Sequence, residues 1–307
     1  MRVLVTGASG FLGHAVVAAL AAAGHEVIGF SRSEKALPQA LSASIVGDVC
    51  EPSEIGDAVR DVDGVCHLAA LPRVRDSFVK PADYWRTNTG GTINLLHALA
   101  SAEQPKRIVL ASTGAVYGVA DKQPTSEDEP TKASNPYARS KLAADQAAAD
   151  VAAAGLLGAI SLRAFNIAGA AAGKYDEDDT RLIPKALAVQ AGHAPELVLN
   201  GDGSAVRDFV HAEDMADAFV RAFEACTPGR WTAYNVGSGR RTSVRDVVAA
   251  TEQVTGRALA VRHQAAAQEP PVMIADSTRI RTDLDWQAPK SDLLRIVSDA
   301  WDALTRR

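Results

Sequence analysis

Two kinds of hydrophobic stretch alternate along the chain. Short continuous apolar runs recur at Val3-Leu4-Val5, Val27-Ile28-Gly29-Phe30, 44–46, 64–68, 107–110 and 159–163. A run that is apolar at consecutive positions predicts a strand covered on both faces, as in a parallel sheet. Longer segments with helical spacing lie between them, over 14–23, 54–60, 83–101 and 136–154. In the third of these, Leu95, Leu96 and Leu99 share one side. Gly24 and Gly155 stand where the first and last should stop, and Pro136 suits a helix's first turn. After Arg163 the rhythm changes. A Gly/Ala-rich and then acidic loop covers 168–180. Helices are expected over 181–191, 213–224, 243–255 and 291–304, with one strand over 232–236.

Repeated strand–helix units predict an α/β fold with a doubly wound parallel sheet, Rossmann-like, and a smaller mixed α/β portion behind it. The expected division is a dinucleotide-binding domain over 1–165 and a substrate-binding portion over 166–307. Segments of about 207–240 are expected to return to the first sheet.

Composition narrows the function. The 307 residues are 47% hydrophobic and 22% charged, with a net charge of −5. That is ordinary for a globular protein, and no block of Lys or Arg points to nucleic acid or an anionic membrane. The three cysteines, Cys50, Cys66 and Cys226, have no metal-type spacing, so no metal is expected. No apolar run reaches the ~18 residues of a membrane span. Met1-Arg2 leads straight into a strand, without the apolar segment of a secretory leader. A cytoplasmic location is the expectation.

The first strand is followed by Thr6-Gly7-Ala8-Ser9-Gly10-Phe11-Leu12-Gly13 and a helix. In that context Gly7 allows the turn, Gly10 admits backbone to a pyrophosphate, and Gly13 lets helix and strand pack closely. The second strand ends at Ser31-Arg32 where an acid would meet the 2′-hydroxyl of NAD. An arginine beside small hydroxyls suits the 2′-phosphate of NADP. Asp48-Val49 after the third strand is placed to meet the adenine, and Leu68-Ala69-Ala70 after the fourth to lie along the nicotinamide side.

Ser112-Thr113 ends the strand over 107–110, on the ligand side of such a sheet. Tyr137 and Lys141 are four apart on the next helix and so share a face. With Asn88-x-x-Gly91-Thr92, Leu162-Arg163-Ala164-Phe165-Asn166, Leu182-Ile183-Pro184 and Arg207-Asp208-Phe209-Val210-His211, these motifs run nearly end to end. The pattern resembles the extended short-chain dehydrogenase/reductase family, in its branch acting on nucleotide sugars. The resemblance implies that Tyr137 is the acid/base, that Lys141 lowers its pKa and holds the cofactor ribose, and that Thr113 shares the substrate proton. It implies further cofactor contacts at Ser9, Phe11, Leu12, Asn88 and Phe165. Substrate contacts are implied at Asn166, Leu182, Ile183, Arg207 and Glu269. NAD is the implied cofactor, a UDP-hexose the implied substrate, and a homodimer the implied assembly, paired through the helices near 83–101 and 137–154.

The implied reaction is 4-epimerisation of the UDP-glucose/UDP-galactose type, through transient hydride transfer and a 4-keto sugar. The family's dehydratase acid pair is replaced by Gly114-Ala115, which argues against dehydration. Two departures leave alternatives open. Ser31-Arg32 favours NADP. Ala266 stands where the family's phosphate-binding Arg is usual, unless Arg262 or His263 replaces it. A net NAD(P)H-dependent keto-reductase or dehydrogenase is therefore the second expectation, and a catalytically silent cofactor-bound scaffold the third.

Overall fold

A computed structural model describes residues 1–265 and 270–306. Seven parallel strands form the central sheet: β1 (Arg2–Thr6), β2 (Glu26–Ser31), β3 (Ala43–Val46), β4 (Gly64–His67), β5 (Lys106–Thr113), β6 (Leu157–Ala164) and β7 (Trp231–Val236). Their order is β7-β6-β5-β4-β1-β2-β3. The winding direction reverses between β1 and β4. In an open parallel sheet, that reversal opens a crevice at the strands' carboxyl ends.

The apolar runs work by alternation within each strand. Val3 and Val5 face one side, with α1 (Phe11–Ala22) and the later α6 (Ala212–Ala225), whose Phe219 and Phe223 are fully buried. Leu4, Val65, Ile108 and Leu110 face the other side, with α2 (Pro52–Ala58), α3 (Gly91–Ala100) and α4 (Pro136–Ala153). The inner strands thus lose apolar surface on both faces, while the edge strand β3 stays largely exposed; each fully buried Val, Leu or Ile contributes roughly 1.5–3 kcal/mol.

The remaining elements make a second cluster. In it, α5 (Leu182–Gln190), α7 (Val244–Thr255) and α8 (Leu293–Thr305) pack around Ile183, Leu187, Phe209, Val247, Ile296 and Val297. Short strand pairs connect this part: 166–168 with 209–211, 206–207 with 242–243 and 272–273, and 197–200 with 261–264. Buried Asp208 is its staple. Its carboxylate accepts from Ser238 N (2.8 Å), Ser238 Oγ (2.7 Å), Gly239 N (3.0 Å) and Ala275 N (3.1 Å).

Several boundaries differ from the sequence expectation. The helix expected over 83–101 is built of Pro81–Tyr84, a π-helical turn Trp85–Gly90, and α3. The loop over 168–180 contains a small hairpin, Ala170–Ala171 with Lys174–Tyr175. A helix at Thr278–Leu284 was not expected from sequence. The 107–110 strand runs on to Thr113, which puts Ser112 and Thr113 on the sheet itself, opposite Arg163 and Ala164.

Candidate active site

A cleft of about 460 Å³ opens at the carboxyl ends of the strands. Its floor is the glycine turn. Gly7 has φ +72°, and a Cβ there would lie 2.8 Å from Ala69 N; a Cβ on Gly13 would lie 2.3 Å from Gly7 O. Both contacts are backbone, so neither site admits a side chain without the turn moving. Gly10 starts α1 with no side-chain cap and no acid in the first turn. The helix therefore offers its first N–H groups and positive end to an anion. The cradle fits the pyrophosphate of a dinucleotide.

Along the cleft lie Gly7, Ser9, Gly10, Phe11 and Leu12, then Ser31 and Arg32, then Asp48 and Val49, and finally Leu68, Ala69 and Ala70. Tyr137 and Lys141 line the same cleft. Ser31 is turned inward and donates to Ser33 O (2.5 Å), while Arg32 is exposed. The Asp48 carboxylate is engaged in its own loop, accepting from Cys50 N (2.9 Å).

A buried chain of hydrogen bonds connects this floor to the helix carrying Tyr137. Thr92 Oγ1 lies 2.6 Å from Asn88 O and must donate its proton there. It therefore accepts from His67 Nε2 (3.1 Å), and His67 Nδ1 accepts from Thr6 Oγ1 (2.7 Å). Thr6 Oγ1 in turn accepts from Leu68 N and Ala69 N, both at 3.2 Å. At the other end, Asn88 Nδ2 donates to Ser140 Oγ (3.1 Å), and Ser140 Oγ to Tyr137 O (2.8 Å). All donors run one way, which requires neutral His67. Burial and the nearby Lys141 charge push its pKa down to about 3. Asn88 is thus buried support behind the cleft, also accepting from Leu71 N (2.8 Å).

Asn135 caps α4, its side chain accepting from Ala138 N (2.8 Å), and Pro136 takes the first helical position. This start brings the Tyr137 hydroxyl to the Thr113 hydroxyl, which hydrogen-bonds it. Burial pushes the phenol's pKa up, while that bond and the Arg181 charge pull it down. Burial pulls the Lys141 ammonium down to about 8, with Asp145 acting the other way. Tyr84 packs edge-on to Tyr137, ring centroids 6.4 Å apart, and donates its hydroxyl proton to Arg73 O (2.5 Å).

The residues expected to meet substrate are less concentrated. Asn166 donates to Asp208 O (3.0 Å). Leu182 and Ile183 pack into the second cluster, Ile183 almost fully buried. Arg207 Nη1 donates to Val206 O (3.0 Å) and Pro270 O (2.9 Å). Phe165 packs against Gly114, where a Cβ would meet its ring at 2.8 Å. None of these residues, nor Thr113 or Asn88, is part of the cleft lining. Glu269 and Ala266 lie outside the described residues. Arg262 pairs with Glu196, and His263 Nδ1 contacts Gly201 O (2.8 Å), both away from the cleft.

Charged groups that sequence reasoning passed over stand at the mouth instead. Asp176, Asp178 and Arg181 line the cleft. Arg181 Nη1 donates to Asp176 Oδ2 (2.9 Å), and Arg73 Nε reaches across to Asp178 Oδ2 (3.2 Å). The acidic run in a loop just before a helix was the available signal, but its partner Arg73 lies 105 positions away. Among the described residues, no three His, Cys, Asp or Glu converge to hold a metal ion, and no helix is long and apolar enough to cross a membrane.

Residues 3–237 match the model of the NAD dependent epimerase/dehydratase family. The chain belongs to this family. It is 37% identical over 313 residues to a UDP-glucose 4-epimerase of Corynebacterium glutamicum, spanning 98% of this chain and 95% of that protein. Its fold superposes with TM-score 0.91 on the UDP-glucose-4-epimerase of Stenotrophomonas maltophila with bound NAD and formylated UDP-arabinopyranose. That pair shares 31% identity over 100% of this chain and 99% of the other. A UDP-glucose 4-epimerase of Bifidobacterium longum in complex with NAD+ and UDP gives TM-score 0.92 at 26% identity, over 100% and 99% of the two chains.

Proposed function

We propose that the protein is an NAD-dependent nucleotide-sugar 4-epimerase of the UDP-glucose/UDP-galactose type. The observation carrying this reading is one cleft in which an anion-binding glycine turn and the Tyr137 phenol, bonded to Thr113, are held together. End-to-end likeness to UDP-glucose 4-epimerases supports it. Bound along the glycine turn, NAD would supply reversible two-electron chemistry at C4 of the sugar. The chain's own groups handle the proton. Tyr137 takes it from the 4-hydroxyl and returns it, and the Thr113 hydroxyl orients that oxygen. The Thr113 hydroxyl and the Arg181 charge favour the phenolate against burial, which raises the phenol's pKa; the Lys141 ammonium on the same helix face would add to them.

Incubation with UDP-galactose and NAD tests the reading. UDP-glucose should form with no net change in nicotinamide absorbance. A change that tracks substrate would instead support the keto-reductase reading, which Arg32 favours by lining the cleft where β2 ends in Ser31 rather than an acid. With no reaction of either kind, the reading of a silent scaffold stands.

We further infer a homodimer. Phe78 (63% exposed), Val79 (78%), Trp85 (43%) and Ile93 (49%) leave an apolar face on the helical segments before and within α3. Surfaces of this kind mark interfaces. Light scattering on the purified chain should give twice the 32.2 kDa monomer mass.

A further inference from the structure

The reading of Tyr137 and Lys141 given above leaves one buried acid on their helix face without a role. Tyr137, Lys141 and Asp145 follow at intervals of four on α4, so the three side chains stack along one side. Lys141 and Asp145 are both buried, 4% and 2% exposed. Asp145 is locked from the sheet: Ser112 Oγ on β5 donates to its Oδ2 (3.0 Å), as does Arg163 Nε on β6 (3.2 Å). Arg163 is held in turn, its Nη1 donating to Tyr117 Oη (2.8 Å), which donates to Asn235 Oδ1 on β7 (2.8 Å). Charges therefore alternate inward from the cleft: the Lys141 ammonium, the Asp145 carboxylate, the Arg163 guanidinium.

We propose that Asp145 is a positioning residue for the reaction, acting through Lys141: its sheet-anchored carboxylate holds the Lys141 ammonium in its charged form beside Tyr137. A buried amine pays a desolvation penalty for carrying charge, and an adjacent carboxylate offsets it. Asp145 is the acid that acts on Lys141, against burial that lowers its pKa to about 8. The other groups packed around the pair do not substitute. His67 from β4 is neutral, Ser112 and Ser161 carry no charge, and Tyr117 and Tyr84 are phenols whose pKa burial raises. Asp76 lies on the helical segment Val74–Val79 and acts on Tyr84. Arg163 is a cation, and Arg181 acts on Tyr137 from the cleft side. Removing the Asp145 charge takes away the offset and also unmasks Arg163. Both changes make Lys141 give up its proton at lower pH.

The test uses the NAD-saturated enzyme and two readouts: the pH profile of kcat, and the phenolate absorbance of Tyr137 as a difference against Tyr137→Phe in the same background. Asp145→Asn should shift the alkaline limb, set in the parent by Lys141 near about 8, to lower pH, by about 1 pH unit. The Tyr137 titration should move up. Because Asp145→Asn strands the buried Arg163 charge, the double variant Asp145→Leu with Arg163→Met provides a folded comparison, since apolar replacement of a whole buried pair is often neutral or stabilising. It should show both shifts in the same directions but smaller, since Arg163 is gone too, and Asp145→Glu should restore most of the parental profile. Folded variants whose limb and phenol titration match the parent overturn the inference while leaving the epimerase reading intact. A parent with no alkaline limb removes both the Lys141 role and this inference; Tyr137→Phe tests the reaction separately.

Discussion

The two walls of the cleft are built on different principles. The cofactor wall is mostly backbone and small side chains: the Gly7–Gly13 turn, Leu68-Ala69-Ala70, and the uncapped start of α1. What it recognises, it recognises by close approach and by the fixed N–H groups of a helix end. The other wall carries charged side chains, Asp176, Asp178 and Arg181, with Arg181 ion-paired to both aspartates and Asp178 also paired with Arg73 from outside the lining. The first wall needs no particular side chain but cannot accept an added one. The second depends on individual side chains and their ion pairs. Tyr137, the proposed acid/base, lines the same cleft, its hydroxyl bonded to Thr113 of the sheet and subject to the Arg181 charge of the loop.

That contrast can be broken in four places. Replacement Tyr137→Phe removes the proton acceptor and should lower kcat by roughly 10²–10⁴-fold with NAD affinity unchanged; near-normal turnover in the UDP-galactose assay would remove its assigned role. In Gly13→Ala the new methyl meets Gly7 O at 2.3 Å. Overpacking of this kind costs about 1–3 kcal/mol. Calorimetric NAD binding should weaken about tenfold or more, and unchanged affinity would show that the turn is not the cradle. Arg181→Ala belongs to the other wall. A cation favours the phenolate, so its loss raises the Tyr137 pKa, and the acid limb of kcat should move to higher pH by less than about 1 unit. NAD affinity should stay the same; an acid limb that stays in place would detach Arg181 from the chemistry. The smallest effect is expected for Arg32→Ala, a few-fold loss of NADP affinity at most, with NAD within about twofold. Equal losses for both cofactors would mean that Arg32 does not read the 2′-phosphate.

The cofactor wall was legible in the chain because its determinants are local. A strand, three spaced glycines and a helix are contiguous, and Tyr137 and Lys141 are one turn apart on one helix. Residues such as Ser31, Asp48 and Ala69 could be placed by counting from strand ends. The charged wall was not legible in this way. Ile183 carries a motif yet is packed into the second cluster, and Arg207 bonds neighbouring carbonyls. Arg181, one position before that motif, lines the cleft instead. Nothing in the spacing of Arg73 and Asp178 tells that they meet.

The sequence by itself determined the alternation of strands and helices that builds the central parallel sheet, and the helix face shared by Tyr137 and Lys141. These follow from periodicity and from local backbone chemistry, which a few consecutive residues specify. Only the tertiary structure decided which charges act on that face. Arg163 is brought to Asp145 by the register of β5 with β6. His67 is made a neutral link by two threonines from β1 and α3. Electrostatics in a buried site depends on distance and exclusion of water, and both are set by packing between segments far apart in the chain.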